Sequence, residues 1–132
     1  MNIKRLSILW MTLVAILATP LVIQTTGCKT NAPYKAVATT QITVQAAMSL
    51  WGTYVSQSHP PVAQELAVKS AYEKWQSAMA VVCDAGKAYA AAQQAGAANQ
   101  SVLLAALDQA IADVTADRGD LIDLLTKFGV KL

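Results

Sequence analysis

The chain has 132 residues and a formal net charge of +2, a length that suits one small domain and not two. Its ten Lys and Arg include Lys4 and Arg5 in the leading segment; the other eight are balanced by eight Asp and Glu. A balanced working domain lacks the basic face that nucleic-acid binding needs. One histidine and two cysteines leave little material for a metal site.

Met1-Asn2-Ile3-Lys4-Arg5 opens the chain, and no charged residue follows until Lys29. Leu6 to Ile23 is apolar or weakly polar and is broken by Pro20, and Gln24-Thr25-Thr26-Gly27 then leads into Cys28. A cationic start, an apolar stretch and small residues at its end form the pattern of a secretory signal. The other readings are a soluble cleaved form and an uncleaved anchor, the latter because about 18 apolar residues can cross a bilayer. Lys4 and Arg5 would then hold the N-terminus inside. Either way, the rest of the chain is exported.

Gly27-Cys28 at the end of such a stretch resembles the lipobox of bacterial lipoproteins. Thr26 fits that pattern, whereas Thr25 stands where the family usually has Leu or another aliphatic residue. The resemblance implies cleavage between Gly27 and Cys28, with diacylglycerol and an N-acyl chain carried covalently on Cys28 and no other cofactor. Two or three chains make membrane attachment stable where one is marginal. Lys29 after the cysteine implies outer-membrane sorting under the enterobacterial rule. The division expected is a signal peptide or anchor over 1–27, a tether over 28–33 and a folded domain over 34–132.

The first helix of that domain is expected over about 34–57. Val37, Gln41, Val44, Met48, Trp51 and Val55 alternate steps of four and three, which is one helix face. Ser58-His59-Pro60-Pro61 stops it, since proline removes a donor and biases the residue before it away from helix. The second helix is expected over about 61–95, with a seam of Val68, Tyr72, Trp75, Met79, Val82, Gly86 and Tyr89. Glu65–Lys69 and Lys69–Glu73 can pair on its outer face, and Gly96 is a natural stop. The third is expected over about 100–128, capped by Asn99 or Ser101, with Leu104, Leu107, Ile111, Val114, Arg118, Leu121, Leu125 and Phe128 as its seam. Asp123–Lys127 would support its last turns. No alternating run predicts a strand.

Three amphipathic helices with short links predict an all-α, up-down-up antiparallel three-helix bundle, preceded by the N-terminal hydrophobic signal or anchor helix. At 1.5 Å per residue the helices would be about 36, 50 and 45 Å long. Alanine-rich seams predict slender, closely packed helices, with a homo-oligomer as a way to bury more surface. Counting back from the turns places Trp75 opposite Val44 and near Gly119, a glycine that makes room for the indole or else marks a local kink.

Few residues carry chemistry. Cys83, beside Val82, reads as a small buried hydrophobe, or as an intermolecular disulfide in an exported chain. His59 lies in the Pro-rich turn with no nucleophile or orienting group at a telling spacing. Asp113, Asp117, Asp120 and Asp123 give the third helix an acidic side, a candidate interaction face for a basic partner or simply a solvated one. The calcium-loop spacing is absent, and no metal site is expected. Trp51, Tyr54, Tyr72, Trp75 and Tyr89 fall at core spacing. No phosphate loop, catalytic triad or zinc spacing is present, so no enzyme is predicted.

The expectation is therefore a small non-enzymatic envelope lipoprotein, held to the membrane by its lipid, whose periplasmic bundle has a structural or protein-interaction role. Its partner would be another envelope protein or a second copy, and not nucleic acid. It is similar in plan to small helical lipoproteins of Gram-negative envelopes. The single-helix type among these is joined to peptidoglycan by a C-terminal lysine; here Lys131 is penultimate, and Pro60-Pro61 and Gly96 interrupt the helix. Tyr72-Glu73-Lys74-Trp75-Gln76 resembles short prophage lipoproteins of unknown function, which gives the alternative of a phage lysis accessory or bitopic inner-membrane protein. A binding module for a small apolar ligand between the helices is the remaining alternative.

Overall fold

The computed structural model describes residues 32–132, which form three helices and no strand. The leader, Gly27, Cys28 and the first part of the tether lie outside the described residues. Helix α1 is Ala32–Ser58, α2 is Val62–Gln94 and α3 is Gln100–Lys127. The bounds fall within two residues of those that periodicity predicts. Pro61 occupies the N-cap position of α2, and Asn99 that of α3, but the Asn99 side chain makes no capping hydrogen bond.

All three helices stop in the same way, on a residue with a left-handed backbone. Gly96 (φ 61°) and Gly129 (φ 97°) close two of them. At each, one amide reaches back three residues and the next reaches back five: Gly96 N–H to Gln93 O and Ala97 N–H to Ala92 O, then Gly129 N–H to Thr126 O and Val130 N–H to Leu125 O. These are Schellman stops, and the second seals itself with the apolar contact such motifs favour, since Val130 and Leu125 are both buried. Helix α1 ends on His59 at φ 48°, whose N–H bonds Val55 O at 3.1 Å. The next residue, Pro60, has no N–H, so the second bond cannot form and the simpler stop results. A side chain in this conformation costs about 1–2 kcal/mol that glycine would not.

The core repeats every seven residues. Val37, Val44 and Trp51 of α1, Val68, Trp75 and Val82 of α2, and Leu107, Val114 and Leu121 of α3 are all buried. A seven-residue repeat keeps one seam facing its partners when helices supercoil gently to the left. Helices α2 and α3 pack closely and antiparallel, their register marked by Lys74 against Asp117 and Asp120. Helix α1 runs parallel to α3 and lies nearer to it than to α2. The Trp51 and Phe128 rings are 6.2 Å apart. Extending that register in steps of seven sets Val44 level with Leu121, and Val37 level with Val114.

The same register explains a departure from the expected seam. Helix α1 begins about level with Gln109, so the first turns of α3 have no third helix beside them. Leu104, expected in the core, is 37% exposed. Leu107 is the first large side chain of α3 to be fully buried. Glu65 also departs, because it does not pair with Lys69. Its Oε1 is buried without a hydrogen-bond partner, and Lys69 meets Glu73 at 3.6 Å instead. Asp123 and Lys127 form no ion pair.

Candidate functional site

The acidic side of α3 faces partly inward. Its spacing carries Asp113, Asp117 and Asp120 along the edge where α3 meets α2, and close packing of the two helices brings Lys74 across. Lys74 Nζ lies 2.6 Å from Asp117 Oδ1 and 3.7 Å from Asp120 Oδ2. The Asp117 side chain is 12% exposed, whereas that of Lys74 is 65% exposed. One lysine thus spans two carboxylates, the nearer of them largely withdrawn from water. Asp113 is served differently: Gln109 Nε2 donates to its Oδ1 at 2.8 Å. Asp123 stands in solvent. The four acids are therefore not one uniform solvated face.

Beside this pair lies a shallow open groove between α2 and α3. Ala78, Ala110 and Ala116 leave it empty of bulk, and Lys74, Asp113 and Asp117 supply its polar wall. Lys74 answers Asp117 and Asp120 across the two helices, while Asp113 is met only by Gln109 of its own helix. Among the described residues, no three or more His, Cys, Asp and Glu side chains gather as a metal-binding group. Among them too, no helix is long and apolar enough to cross a membrane.

Hydrogen bonding to Asp117, followed by the charge of that carboxylate, raises the Lys74 pKa above its ordinary 10.5; Asp120 adds a smaller push and desolvation opposes. A raised lysine pKa means that folding favours the charged form. The stabilisation is complete below pH 10.5 and is lost as pH rises through the higher folded value. The urea midpoint of the wild type is thus expected to fall more steeply above pH 10.5 than that of Lys74→Met. Parallel profiles would mean that the bridge contributes nothing to folding.

The other candidate residues separate. Trp75 is fully buried and stacks on Tyr72, ring centroids 5.7 Å apart and planes 21° apart. Its Nε1 is buried with no hydrogen-bond partner. The register sets it level with Asp117–Gly119 of α3 and with Thr40 and Gln41 of α1, a layer in which neither neighbour gives a large apolar side chain. Gly119 does not make room for the indole. A Cβ built on it meets nothing within 4 Å beyond its own helix and chain neighbours. Gly119→Ala is expected to stabilise the domain by about 1 kcal/mol through helix propensity, read as a higher urea midpoint; a loss would restore the packing role.

At the other end of the core Trp51 stacks on Tyr54, centroids 5.5 Å apart, and meets Phe128 at a tilt of 39°. Tyr72 and Tyr89 are half-buried against the core, and the Tyr89 hydroxyl accepts a hydrogen bond from Gln93 Nε2 at 2.9 Å. The aromatics are thus spent on packing. Cys83 is half-buried beside Val82, less enclosed than its place by the seam suggests. His59 is exposed and acts as the helix stop. The residue that sequence reasoning missed is Lys74. The signal was available, because counting back from the Gly96 turn sets position 74 opposite 117–120.

No family model, no curated protein and no solved structure matches this chain.

Proposed function

We propose that the protein is a small envelope lipoprotein, cleaved before Cys28, acylated on that residue and held in the outer membrane with its bundle in the periplasm. The bundle does no chemistry and serves as a rigid spacer and protein-interaction module. The observation that carries this reading is Gly27-Cys28 at the end of a cationic and then apolar leader, with folded helix beginning at Ala32. A short tether between lipid and bundle suits a domain that works close to a surface. The balanced charge beyond residue 27 supports a protein partner over nucleic acid. The pairing of Lys74 with Asp117 supports a structural use of the acidic side. A rod about 50 Å long, the length of α2, gives such a module reach.

Intact mass of the chain extracted from Gram-negative membranes tests the reading. The expected mass begins at Cys28 and includes two or three acyl chains, and Cys28→Ala is expected to lose both cleavage and lipid. A mass beginning at Met1 would sink the lipoprotein and favour a bitopic inner-membrane protein.

A further inference from the structure

We propose that α1 is exchangeable between copies: two chains open at His59-Pro60-Pro61 and each docks its α1 on the α2–α3 hairpin of the other, forming a domain-swapped dimer. Three independent observations meet in this hinge.

The first is which helix holds α1. Helix α1 is joined to α2 yet packs nearer to α3, the helix farther from it in sequence. Its buried residues Val44 and Trp51 fill a groove completed by Leu121 and Phe128. That groove does not depend on which copy supplies the helix. In a swap every core contact is remade, so the balance rests on the hinge and on protein concentration.

The second is the hinge itself. Only residues 59–61 connect α1 to α2, and His59 closes the connection with φ 48°, the one non-glycine residue among the described ones with positive φ. Short hinge loops under strain invite swapping, because opening them lets the backbone relax. An opened hinge frees His59 to take an extended conformation, while Pro60 and Pro61 prevent α1 and α2 from fusing into one straight helix.

The third is the surface next to the hinge. Val62 and Leu66, one turn apart at the start of α2, are 58% and 59% exposed. No described residue of a single copy covers them. A swapped dimer brings the two hinges together about its twofold axis, where Val62 and Leu66 meet their copies. The occupant of this apolar patch is thus the same segment of a second chain.

The test uses the full-length chain in detergent, unfolded and refolded over a range of concentrations. The wild type is expected to yield a dimer that grows with refolding concentration and persists on dilution, since separation requires α1 to undock. His59→Gly removes the strain of both closed hinges and is expected to raise the dissociation constant of the dimer about a hundredfold. Two further chains carry Cys28→Ser and Cys83→Ser with either Val44→Cys or Leu121→Cys. Refolded together and oxidised, they are expected to give the mixed disulfide in the dimer fraction, and refolded separately to give none. Absence of a concentration-dependent dimer overturns the proposal. So does a dimer that is unchanged by His59→Gly and gives no mixed disulfide, which is the signature of association through the leader or side by side. The outcome is independent of acylation, so it stands apart from the lipid assignment.

Discussion

Trp75→Ala is expected to cost about 3–5 kcal/mol, the range for removing a large aromatic from a packed core. The residue is fully buried, and the register sets it level with Asp117–Gly119 of α3 and with Thr40 and Gln41 of α1. A domain of this size has about 5–15 kcal/mol in total, so the variant should lose a large share of its stability. It should melt as a whole, because α2 and α3 lose their common filler together. Trp75→Phe should cost less than half as much: most of the ring remains, and the missing indole N–H made no hydrogen bond whose loss would count. Urea denaturation followed by circular dichroism reads both values. Equal losses in the two variants would contradict the packing account.

Trp51→Ala should lose a similar amount, about 3–5 kcal/mol, by a different route. Its ring is buried, stacks on Tyr54 and meets Phe128 of α3, and it is the largest buried side chain of α1. The other buried side chains of α1, Val37, Thr40, Val44 and Ala47, are small. Thr39, Thr43 and Thr53 each turn a hydroxyl back to the carbonyl four residues earlier, an arrangement that slightly weakens and bends helices. Without Trp51, α1 should release while the α2–α3 hairpin keeps most of its structure. Hydrogen exchange should show protection lost across α1 first and in α2 and α3 later, whereas Trp75→Ala should lose it in all three together. Simultaneous loss in Trp51→Ala would mean that the three helices form one cooperative unit.

The helices were legible because their information is local. Val37, Val44 and Trp51, or Val68, Trp75 and Val82, announce a buried stripe by spacing alone, and Gly96 and Pro60-Pro61 announce the ends. What depended on the relative height of the helices was not legible. Leu104 keeps the period of its neighbours yet faces solvent, because α1 does not reach that level. Glu65 had a plausible outer partner in Lys69 and instead tucks an oxygen inward. The acidic side read as a solvated or partner-facing stripe because its counter-charge, Lys74, belongs to another helix. Position alone suggests either a packing task or a kink for Gly119. A glycine in a helix states only that a side chain is absent, not that a neighbour needs the space. The leader is the reverse case: Gly27 and Cys28 are informative as sequence and lie outside the described structure.

The unequal reach of the helices also gives the bundle a direction. Helix α1 begins below the level of the Gly96 turn and runs away from it, so the N-terminal end of α1 and the alanine-rich tip of the hairpin lie toward the same end of the bundle. His59, Phe128 and the last residues gather at the opposite pole. The bare tip of the hairpin and the start of α1 thus share one pole. The aromatic pole, with Val62 and Leu66 beside it, is presented outward at the full length of the rod.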